Sequence, residues 1–177
     1  MRFTKTELEG VFIIDIEQMS DDRGFFARAF CTKEFEAHGI DPAIAQCNFS
    51  FTKLAGTVRG LHYQLPPATE TKLVRCIHGS IVDVAVDLRQ GSATYLKHVA
   101  VELSAENRRA LLVPKHFAHG YQTLLPESEV MYQVSEFYTP GVESGLRFDD
   151  PRLAIDWPLE VTSISEKDQT WPLLENR

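Results

Sequence analysis

The chain has 177 residues, 44% hydrophobic, 24% charged and 10% aromatic, with 10 Gly and 9 Pro. That length and balance suit one globular domain, taken as residues 1–177, able to bury roughly 70% of its unfolded surface; disordered, collagen-like and disulfide-scaffold classes are excluded. Acidic side chains outnumber basic ones by 25 to 18, a formal charge of -7, and no basic run exceeds Arg108-Arg109, which argues against a nucleic-acid partner.

The N-terminal stretch MRFTKTELEG lacks the apolar core of a signal peptide, and no apolar run approaches a membrane span of ~20 residues. Thr32 is a candidate N-cap for a helix over Lys33–His38 that Gly39 stops. Nearly everything else reads as strand, from segments rich in Val, Ile, Phe, Tyr and Thr between turn signals. In chain order these are Gly10 to Ile16, Phe25 to Cys31, Ile44 to Thr52, Thr57 to Gln64, Thr71 to Ile77, Ser80 to Leu88, Tyr95 to Leu103, Ala110 to Val113, His119 to Leu124 and Val130 to Tyr138. About ten strands at this spacing predict a sandwich or small barrel. His78-Gly79 between two runs reads as a tight hairpin. Cys31, Cys47 and Cys76 form no CxxC pair and one must stay unpaired, which suits a reducing compartment and a cytoplasmic protein.

Strand alternation places polar side chains where a simple sandwich would bury apolar ones. Gln46, Asn48 and Ser50 share one face, with Cys47, Phe49 and Phe51 on the other; His62 shares a face with Gln64, and Lys72 is in phase with Val74 and Cys76. These are either solvent faces of an antiparallel sheet or a barrel interior whose polar groups converge on a ligand. Among single residues, His62 has the side chain best suited to proton transfer near neutrality, though a lone imidazole is also a common packed residue. Arg59 falls on the opposite phase, so a shared site for both needs a bulge or strand end. Lys72 can stabilise an oxyanion or sit on the surface. His119, Tyr132 and Asp168 are a further imidazole, a phenol that is either proton donor or core aromatic, and a carboxylate that either orients a histidine or caps a turn.

Taken together, Asp22-Arg23-Gly24-Phe25-Phe26, Gln46-Cys47-Asn48-Phe49-Ser50, Arg59 to Gln64, Lys72-Leu73-Val74, Asp83 to Arg89, Leu103 to Asn107, Phe117-Ala118-His119-Gly120 and Ser165 to Asp168 resemble the dTDP-4-dehydrorhamnose 3,5-epimerase family, in order from about Gly10 to Pro172. The resemblance implies an all-β, cupin-type double-stranded β-helix (jelly roll) with short peripheral helices. It implies no metal or other cofactor, and a homodimer that exchanges N-terminal strands. The substrate it implies is a nucleotide-linked, dTDP-type 4-keto-6-deoxy sugar in deoxysugar biosynthesis. A ketone at C4 acidifies the hydrogens at C3 and C5 because proton removal leaves an enolate. By resemblance His62 is the base, Asp168 fixes its tautomer, Lys72 holds the enolate oxygen and Tyr132 returns a proton from the other ring face. Arg23 and Arg59 would grip the diphosphate, and Gln46, Asn48, His119, Glu143 and Lys167 match positions that line the nucleotide-sugar site.

Three departures bear on specificity. Arg28 replaces a family Glu associated with nucleotide binding, Glu70 stands where a Gln is usual, and His116 replaces a Gly. Exchanging an acceptor for a donor changes which base edge or phosphate can be read, so nucleotide and sugar stay open at this point, as does the choice between C3, C5 or both. Two other function classes compete. A metal-dependent cupin would use His62, Glu70 and His119, but Gln64 occupies the place of the second His in an HxH pair. A non-catalytic sugar-nucleotide-binding cupin would have lost His, Lys or Tyr, all of which are present.

Overall fold

The computed structural model describes residues 1–174. β1 (Arg2–Lys5) and β2 (Phe12–Asp15) pair antiparallel. β3 (Gln18–Asp21) and β4 (Gly24–Ala27) form a separate hairpin that joins neither main sheet. Helix α1 (Thr32–Ala37) buries Phe35 against Phe12, Ile14, Leu73 and Leu112. Eight strands follow: β5 (Gln46–Thr52), β6 (Val58–Gln64), β7 (Lys72–His78), β8 (Ser80–Asp87), β9 (His98–Ser104), β10 (Ala110–Val113), β11 (Phe117–Thr123) and β12 (Ser128–Val134). β13 (Glu143–Gly145) and α2 (Glu166–Thr170) complete the set.

Two antiparallel sheets result, ordered β1-β2-β10-β7-β12-β5 and β13-β6-β11-β8-β9. From β5 to β12 the chain enters the first sheet, then the second, the first, the second twice, and so on alternately. This is an eight-stranded jelly roll, the fold that the family resemblance implies. Alternation divides each strand between two environments. Val74, Cys76, Ile81, Ala85, Phe117 and Val130 meet between the sheets, while Val84, Val86 and Ala118 turn outward under Leu146 and Leu153 of the C-terminal segment. Being covered on both faces explains why β8 and β11 are buried almost throughout.

Several local expectations need correction. The His78-Gly79 link is a corner and not a hairpin: β7 and β8 lie in different sheets, and Gly79 (φ 74°) lets the chain turn where any Cβ would stand 2.4 Å from Ser128 Oγ. The run from Phe25 to Cys31 is strand only to Ala27. Cys31, not Thr32, occupies the N-cap position of α1, with no side-chain cap, and the helix ends one residue early. β1, β3 and β13 lack an apolar alternation and are set by pairing alone; β3, for example, is exposed along its length.

Candidate active site

A cavity of about 510 Å³ lies between the sheets, of a size that takes a small ligand. One wall is built from the five-stranded sheet: Arg59 and His62 of β6, His119 and Tyr121 of β11. The opposite wall comes from the six-stranded sheet: Ser50 of β5, Lys72 of β7 and Tyr132 of β12. Ser165, Lys167 and Asp168 close one side.

β6 carries the bulge that Arg59 and His62 require. His119 pairs with His62, but Tyr121 pairs with Arg59, so β6 has one residue more than β11 over this span. Gly60 makes this possible: at φ 115° it lies so close to β11 that a Cβ would stand 2.6 Å from Gly120 Cα. Both side chains therefore reach the cavity. His62 Nε2 donates to Asp168 Oδ1 at 2.5 Å, leaving Nδ1 as the basic nitrogen. Asp168 is 3% exposed. Burial pushes its carboxyl up, but hydrogen bonds from His62, the Gly60 N–H and Ser165 outweigh that, and the carboxyl stays below its usual range.

Lys72 Nζ lies 3.1 Å from Glu70 Oε1, with both side chains largely buried. Tyr132 is half-buried; burial, the Tyr121 phenol and the Glu70 carboxylate all push its phenol up, so it rests as a proton donor. Across the cavity floor Tyr121 and Ser50 share a hydrogen bond of 2.9 Å. His119 Nε2 donates to Asp83 Oδ1 at 2.7 Å, a second imidazole–carboxylate pair. Arg59 donates to Thr52 Oγ1 and the Phe51 carbonyl and has no carboxylate partner among the described residues. An imidazole and its carboxylate partner thus face an ammonium and a phenol across one pocket.

The family model described as dTDP-4-dehydrorhamnose 3,5-epimerase matches residues 5–176. The chain belongs to this family. It is 46% identical over 179 residues to the dTDP-4-dehydrorhamnose 3,5-epimerase of Methanothermobacter thermautotrophicus, covering 99% of this chain and 96% of that one. The Bacillus anthracis enzyme of the same name, solved with TDP and PPi bound, superposes with a TM-score of 0.94 at 42% identity, covering 98% and 99%. The Legionella pneumophila dTDP-6-deoxy-D-glucose-3,5-epimerase, in complex with dTDP-4-keto-L-rhamnose, gives 0.91 at 40% identity, covering 98% and 93%.

Not every residue expected from the epimerase pattern lines the cavity. Asn48 pairs with Tyr132 across β5 and β12, half-buried. Gln46 accepts from the Tyr138 N–H, and Glu143 is ion-paired with Lys167; these positions flank the lining residues. Arg23 and Arg28 lie on and just after the exposed β3–β4 hairpin, where Arg23 pairs with Asp21. Of the family departures, Glu70 is absorbed into the Lys72 and Gln64 contacts, Arg28 is exposed, and His116 takes the left-handed φ of 67° that a glycine adopts freely. The metal-dependent reading finds no cluster of three His, Cys, Asp or Glu side chains among the described residues. Sequence reasoning missed Asp83 and Tyr121 as site residues; their inward phase with His119, Ala85 and Phe117 was the available signal.

Proposed function

We propose that this chain inverts C3 and C5 of a dTDP-linked 4-keto-6-deoxy sugar by proton transfer through an enolate. The observation that carries this is the meeting, in one cavity, of His62 from one sheet with Lys72 and Tyr132 from the other. His62 Nδ1 takes the proton next to the ketone, and the electron pair of that C–H bond moves onto the C4 oxygen. The Lys72 ammonium holds the oxygen as its charge develops, a contribution of about 3 kcal/mol for a donor of this kind. Tyr132 then delivers its phenolic proton to the opposite face of the same carbon, and that carbon is inverted. Asp168 holds the histidine tautomer and stabilises the imidazolium. Solvent returns both groups to their starting states.

For binding, Arg59 is assigned to the diphosphate, with His119, Asn48, Gln46, Glu143 and Lys167 along the nucleotide sugar. Arg23 and Arg28 are assigned to the site of a second copy. β1 and β2 already complete this chain's own sheet, so the N-terminal element free to be exchanged is the β3–β4 hairpin, with Met19 and Phe26 exposed. The outward residues Phe49 and Phe51 of edge strand β5 are also exposed, an apolar pair suited to a homodimer interface. The whole chain acts as one catalytic unit, in the cytoplasm, without nucleic-acid or membrane partners; no helix of the described residues is long and apolar enough to cross a membrane.

The test is incubation with dTDP-4-keto-6-deoxyglucose in deuterated water, followed by NMR. Deuterium at both C3 and C5 with inverted product is the expected result. Exchange at one carbon alone would restrict the reaction to mono-epimerisation, and no exchange would overturn the proposal.

A further inference from the structure

Asp168 orients His62 from a helix of only five residues, too short to be stable by itself. Something outside α2 must fix its position to within a few tenths of an ångström, or the 2.5 Å contact to His62 could not be kept. The local bonds are modest, and the Gly60 N–H reaches Asp168 Oδ2 only at 3.3 Å. Ser165 Oγ accepts from the Asp168 N–H at 3.1 Å, and the Val58 N–H donates to the Ser163 carbonyl.

The residues on either side of Asp168 point to the missing constraint. Lys167 is ion-paired with Glu143, the first residue of β13. Trp171, one helical turn after Lys167, packs on Gly145, the last residue of β13, so closely that a Cβ there would stand 2.3 Å from the indole Nε1. Positions 167 and 171 share one helix face, and positions 143 and 145 share one face of a strand. α2 is therefore seated on β13 at two points that bracket Asp168. Gly145 is in turn the register partner of His62, so the seat of the carboxylate and the strand of the imidazole are neighbours. The indole N–H is buried and has no hydrogen-bond partner among the described residues. Burying a donor unpaired is costly, and a tryptophan used for its polar end would not be placed so. What the site uses is the ring's shape.

We infer that Trp171, through its contact with Gly145, is the positioning residue that sets the reach of Asp168 to His62. This rests on the reading of His62 as the base. Replacing the ring by a small side chain leaves α2 free to shift; adding a Cβ to Gly145 pushes it off from below. Neither residue lines the substrate cavity; the Gly145 change also crowds the Leu61 carbonyl at 2.8 Å, on the strand that carries His62, so the Trp171 variants isolate the contact.

The test uses the full-length protein in three variants, Trp171→Ala, Gly145→Ala and Trp171→Phe, with the thermal midpoint checked for each. In the ligand-free protein, 15N NMR of the histidine rings reads the His62 tautomer. Wild type and Trp171→Phe are expected to show one fixed tautomer protonated on Nε2, whereas the two Ala variants show averaging between tautomers. Turnover is expected to fall at least tenfold in kcat with KM within threefold for both Ala variants, and to stay within about threefold for Trp171→Phe. The inference is overturned if either folded Ala variant keeps the wild-type tautomer, or if Trp171→Phe is as damaging as Trp171→Ala. Should Trp171→Ala fail to fold, the bulkier Trp171→Leu decides by the same readings. The NMR reading needs no substrate, so an active His62→Ala variant would sink the catalytic assignment without altering the outcome here.

Discussion

Replacing Asp168 with Asn keeps the size and one acceptor of the side chain but removes its charge and lets the amide donate to the imidazole. The wild-type contact is 2.5 Å, from a carboxylate 5% exposed to an imidazole 31% exposed. Unit charges about 4 Å apart attract by about 4 kcal/mol at an effective dielectric of about 20. Solvent at the one-third exposed histidine lowers this, so about 2–3 kcal/mol of imidazolium stabilisation remains at the moment of proton capture. That corresponds to a kcat reduced about 30- to 150-fold, with more if the amide enforces the wrong tautomer. The assay is deuterium incorporation at C3 and C5 in single-turnover mode, so that product release does not mask the step, with His62→Ala as the floor. Asp168→Asn activity within threefold of wild type would refute the claim that this carboxylate assists the base.

Four further outcomes follow from the same geometry. Lys72→Met removes the ammonium that the six-stranded sheet contributes to the cavity and should lower kcat about 100-fold with the fold intact, read by the exchange assay. Tyr132→Phe should retain deuterium exchange while losing inversion, because removal of the proton does not need the phenol and its return to the other face does; equal loss of both would contradict the assignment. Gly60→Ala would drive a Cβ to 2.6 Å from Gly120 Cα and 2.8 Å from the His119 carbonyl, costing about 2 kcal/mol or more and lowering the thermal midpoint by roughly 4–8 °C. The wholly buried Asp87 carboxyl is pushed up by burial but held well below its usual range by Arg89, Thr94 and Ser92. A carboxyl depressed in the folded state adds stability above its unfolded value, near pH 4, and loses it as pH falls; Asp87→Asn should flatten that acid limb in denaturation curves measured from pH 5 downward.

The strands of the frame were legible because they are short runs rich in Val, Ile, Phe, Tyr and Thr between turn signals, a signal that survives a boundary error of a few residues. What the sequence could not show is where consecutive strands part. His78-Gly79 has the local chemistry of a hairpin, and only the burial of both flanking strands in different sheets makes it a corner. The site was legible in type rather than in geometry: His62 and Arg59 conflict in phase on a regular strand, which called for a bulge or a strand end, and the pairing of β6 with β11 makes it a bulge beside Gly60. Asp168 carried no pattern of its own, since a five-residue helix near the C-terminus has no periodicity to read, and its meaning comes from a residue 106 positions away. Asp83 was hidden in a hydrophobic run and is visible only through its partner His119.

A charge inventory of the cavity bears on how a nucleotide diphosphate is held. Lys72 is matched by Glu70, Lys167 by Glu143, His62 by Asp168 and His119 by Asp83. Among the described residues around the cavity, Arg59 alone is a cation without a carboxylate partner, which is too little for a diphosphate in a chain of net charge -7. Further guanidinium groups lie on the β3–β4 hairpin, where Arg23 is 90% exposed although paired with Asp21, and the exposed Arg28 follows it. Exchange of this hairpin in a homodimer would bring both to the partner's cavity. Complementation tests this directly. His62→Ala and Arg23→Ala proteins, each inactive or nearly so alone, are unfolded together and refolded as an equal mixture. Arg23 acting in trans restores one intact site in each heterodimer, which is half of all dimers, so activity recovers to about a quarter of wild type. Arg23 acting within its own chain restores nothing, and a flat result would return the hairpin to a purely structural role.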